Sequence, residues 1–184
     1  RTPLSAIKGY LSMVIDLDYG EVPEPIAKIL TRVYNSNERL IALVNNMLNI
    51  SRIESGRIQF DPRPLQIEPV ITDVLAEIKP EAQSRQIQLF FPKSCSLSRK
   101  VQADERILHE VLNNLVDNAV KYTPHGRVTI SLRPHSAHLE VRVQDTGIGI
   151  EAADIPRLFK KFSRGPDVYK NYTSGSGLGL YVVK

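Results

Sequence analysis

Asn114-Leu115-Val116-Asp117-Asn118-Ala119-Val120-Lys121-Tyr122-Thr123 closes the most strongly patterned segment of the chain. Upstream, Asp104 offers an N-cap, and Ile107, Leu108, Val111, Leu112, Leu115 and Ala119 recur at helical spacing. The spacing predicts an amphipathic helix from Asp104 to Tyr122 with those apolar residues inside. Asn114 and Asn118 stand four apart and share one face, next to Asp117, Lys121 and Tyr122. Asparagine is a poor helix former and gives an apolar core nothing. Two readings of that face stay open. It is the solvated side of the helix, or it presents two amide oxygens to a hard cation such as Mg2+ while Lys121 faces a phosphate.

Downstream, Pro124-His125-Gly126 reads as a turn into a hairpin of Val128 to Arg133 and His138 to Gln144. The second strand runs into Asp145-Thr146-Gly147-Ile148-Gly149-Ile150. A carboxylate at a strand end followed by glycines suits a place where backbone meets a flat ligand, though such a run is also a common tight turn. Asp145 to Ser176 is long and rich in Gly, Pro, Lys and Ser, which predicts a functional or mobile loop. It leads to Ser174-Gly175-Ser176-Gly177-Leu178-Gly179-Leu180 ahead of a short apolar helical run. Glycines before a helix N-terminus expose amide N–H groups to an anion, but the run lacks the P-loop ending and the dinucleotide spacing. On the other side of the central helix, Glu68 to Arg85 is expected to be helical, with Pro69 near its start and Pro80 as an irregularity or break, and Gln86 to Phe91 as a strand.

The first third of the chain has another period. Leu4, Leu11 and Asp18 recur every seven residues, as do Ile7 and Val14. After a break at Gly20 to Pro25, Ile26, Val33, Leu40 and Met47 form one such series, and Ile29, Ser36, Leu43 and Ile50 another. This predicts two helices joined by a short turn, Gly56 closing the second and Asp61-Pro62-Arg63-Pro64 serving as linker. Leu30, Ile41, Val44 and Leu48 widen the stripe beyond a two-stranded seam. A four-helix bundle made by two chains would cover it; the alternative is packing on the rest of the same chain. The expected fold class is α+β: a dimerising helical hairpin over residues 1–60, then an α/β-sandwich domain over 65–184.

Composition narrows the setting. The 184 residues are 42% hydrophobic and 24% charged, an ordinary globular balance. Twenty-four Lys and Arg against 20 Asp and Glu leave a dispersed +4, too little to argue for nucleic acid. A single cysteine, Cys95, excludes an internal disulfide framework, and four histidines lack zinc spacing. No apolar run has the length of a membrane span, and Arg1-Thr2-Pro3 is not a signal peptide, so a cytoplasmic location is expected.

In order, these features resemble the kinase core of a bacterial sensor histidine kinase. Asn114 to Thr123 is similar to the family's N box, Asp145 to Ile150 to its G1 box, Leu158-Phe159-Lys160-Lys161-Phe162 to its F box and Gly175 to Leu180 to its G2 box. Arg1-Thr2-Pro3-Leu4 resembles the tail of the phosphoacceptor motif H-E-L-R-T-P-L. The resemblance implies a histidine-kinase/gyrase-type ATP-binding domain that takes ATP and Mg2+. Asp145 would accept a hydrogen bond from the adenine amino group, and Tyr122 would pack on the ring. Asn118, helped by Asn114, would ligate Mg2+, and Lys121 and Arg164 would face the phosphates. The backbone around Gly147 and Gly149 would approach the base, and Gly175, Ser176, Gly177, Leu178 and Gly179 would take the phosphate chain. Glu151 to Ser174 would form a lid anchored by Phe159 and Phe162. Thr2 would orient water for dephosphorylating the partner.

The same resemblance implies a homodimer, a response regulator receiver domain as partner, and a membrane attachment only through segments upstream. The motif's histidine precedes Arg1, and His109, His125, His135 and His138 read as surface residues. The expectation is a fragment truncated at both ends, unable to autophosphorylate as it stands. Rival readings are a non-catalytic ATP-binding dimeric scaffold and a gyrase- or chaperone-type ATPase.

Overall fold

The structure is a computed structural model that describes residues 2–16, 20–57, 59–92, 100–163 and 177–184. Arg164, Gly175 and Ser176, expected at the site, lie outside the described residues, as do Asp18, Cys95 and Ser174. The chain divides into two units, Arg1–Ile58 and Gln59–Lys184. No helix among the described residues is long and apolar enough to cross a membrane.

Proline and glycine punctuate the first unit. α1 (Thr2–Ile15) precedes α2 (Glu24–Glu54), which starts where Pro23 and Pro25 give up N–H groups that a first turn leaves unpaired anyway. It ends at Ser55, with Gly56 at φ 63° taking the left-handed conformation that closes helices. The two helices pack as a hairpin. On α2, Ala27, Leu30, Tyr34, Asn37, Ile41 and Val44 are buried or half-buried, spaced alternately three and four apart. Asn37 is 5% exposed and its Nδ2 donates to the Leu4 carbonyl at 3.0 Å, a bond from one helix of the hairpin to the other. Lys8 and Glu38 form an ion pair at 3.1 Å beside it. Of the heptad series, Ile26, Ile29, Val33, Leu40, Leu43 and Met47 are exposed and Ile50 is buried, while Leu48 of the widening residues is exposed. The wide stripe is therefore two seams one residue apart, one closed within the hairpin and one open.

In the second unit, β2 (Ile87–Phe90), β4 (Gly126–Pro134) and β5 (Leu139–Asp145) form a sheet in the order β2-β4-β5. β2 runs parallel to β4 and β5 antiparallel to it. A separate antiparallel pair joins β1 (Arg63–Leu65) to β3 (Val101–Ala103). Two helices, α3 (Ile67–Ser84) and α4 (Glu105–Lys121), share a core with the sheet. Val70, Ile71, Val74, Ile78 and Ala82 come from α3, and Leu112, Val116, Ala119 and Val120 from α4. Val128, Ile130 and Leu132 alternate inward along β4.

Two sequence expectations shift here. α3 runs through Pro80 without a break. The lost helical hydrogen bond costs about 3 kcal/mol, but Ile78 and Ala82 are buried on either side and hold the turn in place. On α4, Leu112 and Ala119 are buried as expected, whereas Ile107, Leu108, Val111 and Leu115 are half-buried. Val116 and Val120 are fully buried instead, so the helix is rotated toward them. Its start is as read: Asp104 accepts from the Ile107 N–H at 3.1 Å. It also accepts from the Asp61 N–H at 3.2 Å. The Asp61 and Ile107 amides hold its carboxyl below the ordinary range.

Candidate functional site

α4 ends in a knot of backbone contacts. The Thr123 side chain is fully buried and its hydroxyl donates to the Ala119 carbonyl at 2.7 Å, while the Tyr122 N–H donates to Asn118 at 3.0 Å. Arg85, just after α3, donates to the Lys121 carbonyl at 3.4 Å, placing a cation at the negative end of the helix.

The end of β5 is tied to this terminus. The Ile148 N–H donates to the Tyr122 carbonyl at 3.1 Å. Gly147 passes so close to that carbonyl that a Cβ would collide with it. The Gly147 N–H donates to Asp145 Oδ1 at 2.9 Å. Asp145 is exposed at the mouth of this turn, one carboxylate oxygen held by the backbone. Gly149 has φ 72° and open space around its α-carbon.

The segment after the gap returns to the other side of α4. A Cβ on Gly179 would lie 2.7 Å from Asn114 Oδ1 and 3.7 Å from Asn118 Nδ2, so the start of α5 (Gly179–Val183) presses its backbone on both asparagines. Leu178 is fully buried. Gly177, at φ 69°, has room for no side chain without crowding the Phe162 backbone at 3.0 Å. The Lys161 ammonium stands 5.3 Å from the centre of the Tyr181 ring. Asn114, Asn118, Tyr122, Asp145, Gly147 and Gly179 are thus gathered at the C-terminal half of α4. Thr2 belongs to the other unit.

Lys121 and the two phenylalanines make contacts that the sequence reading did not name. Lys121 is 9% exposed, its ammonium 5.4 Å from the Tyr122 ring centre. It acts on Asp117, whose carboxyl is pushed up by the protein packed around it and by Glu81, against the opposing pull of Lys121 and Arg85. Phe159 and Phe162 are exposed, and Arg164 to Ser174 of the segment they were expected to anchor lie outside the described residues. The close contact is made by the Phe162 backbone, at φ 56°, against Gly177. Sequence reading also passed over the Tyr122 carbonyl, Gly126 and Thr146. The signal available was a threonine between the aspartate and the glycine, which names a hydroxyl but not what it meets.

The donor set fits a nucleotide-borne Mg2+ better than a free one. Among the described residues no group of three His, Cys, Asp or Glu is arranged for a metal. Asn114 and Asn118 offer neutral amide oxygens, and Asn114 Nδ2 donates to the Glu110 carbonyl at 2.9 Å while its Oδ1 faces Gly179.

Residues 103–184 match the family described as histidine kinase-, DNA gyrase B- and HSP90-like ATPases. Residues 1–56 match the His Kinase A (phospho-acceptor) domain. Among curated proteins the chain is similar to the sensor histidine kinase RcsC of Escherichia coli K12, 32% identical over 183 residues that make up 99% of this chain and 19% of RcsC. It spans about a fifth of the length of the curated relatives it matches. Among solved structures, full-length ShkA in complex with AMPPNP is 29% identical at a TM-score of 0.78, over 100% of this chain and 37% of ShkA. Acinetobacter baumannii histidine kinase AdeS is 26% identical at 0.69, over 100% of this chain and 82% of that one.

Proposed function

Because the chain belongs to the sensor histidine kinases, a His Kinase A hairpin followed by a histidine kinase-type ATPase domain, we propose that it is the catalytic core of a two-component sensor. It binds ATP at the C-terminal half of α4. In the intact protein it directs the γ-phosphoryl group to a histidine, and from there to an aspartate of a response regulator. Thr2 would serve the reverse step, dephosphorylation of that regulator.

The observation that carries the reading is the convergence on α4. Gly147 touches the Tyr122 carbonyl from one side and Gly179 touches Asn114 and Asn118 from the other. Both glycines stand where a side chain would fill the space, so backbone lines both ends of the site. Asp145, with Oδ1 tied down, presents its other oxygen to the adenine amino group, and Tyr122 packs on the ring. Asn118, with Asn114, would hold Mg2+ on the triphosphate. When bound, that ion neutralises charge on the phosphoryl group in transfer. Gly175, Ser176, Gly177 and Gly179 amides would meet the phosphate chain, with Arg164 and Lys121 adding positive charge. ShkA, which shares the fold over this whole chain, was solved with an ATP analogue.

The exposed α2 seam supports a homodimer, with two hairpins closing a four-helix bundle. A cytoplasmic location follows from a phosphoryl donor and a receiver partner that are both cytoplasmic. Titration calorimetry with Mg-ATP tests the core of the reading. Saturable binding to one site per chain is expected, and a folded chain that takes up no ATP would sink it.

A further inference from the structure

Resting on the nucleotide reading above, we propose that Thr146 is a positioning residue for Asp145: its hydroxyl ends the β4–β5 ladder and so sets where that carboxylate stands. β4 and β5 are paired in register as far as Val128 with Asp145. A continuing antiparallel ladder would next pair Arg127 with Thr146, each N–H donating to the other's carbonyl. Half of that exchange is present, since the Thr146 N–H donates to the Arg127 carbonyl at 3.2 Å. The other half is replaced. The Arg127 N–H donates to Thr146 Oγ1 at 3.0 Å. The same hydroxyl donates back to the Arg127 carbonyl over a longer 3.4 Å.

A side chain thus does the accepting that the Thr146 carbonyl would do in a longer strand. Both backbone groups of Arg127 stay satisfied, and the backbone of Thr146 is released to turn out of the sheet. The turn is completed at once by the Gly147 N–H on Asp145 Oδ1 and the Ile148 N–H on the Tyr122 carbonyl. Gly126 makes room for the arrangement: it sits at φ 127°, and a Cβ there would collide with Thr146 Oγ1. A position that needs an oxygen on Cβ accepts Thr or Ser. Valine has the same shape and cannot accept.

The test compares Mg-ATP with Mg-ITP, whose base lacks the 6-amino group, by calorimetry on the whole chain, with circular dichroism melts alongside. The wild type is expected to prefer ATP. Thr146→Val should weaken ATP binding about fivefold, the value of one lost hydrogen bond, while ITP changes less, so the preference falls. Thr146→Ser should keep the wild-type preference. Wild-type preference in Thr146→Val would overturn the proposal. So would equal weakening of both nucleotides with a lower melting temperature, which is the signature of a structural role alone. Should Thr146→Val not fold, loss of preference in a folded Thr146→Ser would overturn it equally. A wild type that binds ATP and ITP alike removes Asp145 as the adenine acceptor, and with it the premise, before any variant is made.

Discussion

A carboxylate with one oxygen fastened to the next turn has its second oxygen fixed in direction, and Asp145 is held this way by the Gly147 N–H at 2.9 Å. Asp145→Asn keeps that internal bond, because an amide oxygen accepts as well, but removes the charge from the acceptor. Charge-assisted bonds contribute about 1.5–3 kcal/mol, so ATP affinity should fall roughly 10- to 100-fold with an unchanged melting temperature. Calorimetry that finds wild-type affinity in the variant removes Asp145 from the site. Asp104 makes a different kind of prediction. Its folded-state carboxyl is lowered, first by the Asp61 amide and then by the Ile107 amide. A lowered value contributes stability that is present above the ordinary aspartate value of about 3.9 and lost as pH falls through the folded value. Asp104→Ala should therefore melt a few degrees below wild type at pH 7, and the gap should narrow in melts taken below about pH 3.9. Residues such as Asp145 and Asn118 were legible because their type and spacing already suggest chemistry. Thr146 was not, because its meaning lies in Arg127, 19 residues away, and in the empty side of Gly126.

Helix α2 carries two apolar seams of the same period, offset by one residue. Periodicity alone shows them as one wide stripe, since both series fit a seven-residue repeat. Only the position of α1 separates Leu30, Ile41 and Val44, which face it, from Val33, Leu40 and Met47, which stay exposed. The separation gives a paired prediction. Leu40→Asp places a charge on the open seam, where the hairpin alone tolerates it and a bundle of two hairpins does not. The chain should sediment as a monomer with its helix signal intact. Val44→Asp puts the same charge inside the hairpin and should lose helix signal as well, at a cost of several kcal/mol. A wild type that is already monomeric at tens of micromolar, or a Leu40→Asp variant that stays dimeric, counts against the bundle. Pro80 teaches the converse. A local rule allowed an irregularity or a break there; the helix runs on, with buried residues on either side of the proline.

At the scale of the molecule, the proposed nucleotide site and the phosphoacceptor-type motif belong to different units. Every described residue proposed to touch ATP lies in Gln59–Lys184, whereas the phosphoacceptor-type motif lies in Arg1–Ile58. The sequence holds no histidine before His109, and all four of its histidines fall in the second unit. His109 is beside Glu77 at 3.3 Å on the helix surface, and His135 and His138 stack at the tip of the β4–β5 hairpin with ring centres 4.5 Å apart. None stands at a position of the motif. Binding and transfer should therefore come apart. Incubated with γ-labelled Mg-ATP, the 184 residues should bind nucleotide yet carry no acid-labile, alkali-stable label, the stability pattern of a phosphoramidate. Placing His-Glu-Leu, the first three residues of the motif, before Arg1 should bring the label in. Asn118→Ala in that longer chain should abolish it, since a lost metal ligand removes charge neutralisation that phosphoryl transfer requires. Label on the unextended chain would mean that one of its own histidines is the acceptor. An extended chain that binds ATP and stays unlabelled would instead favour a nucleotide-binding scaffold, in which the α2 seam recruits a partner and the bound ATP serves as a signal.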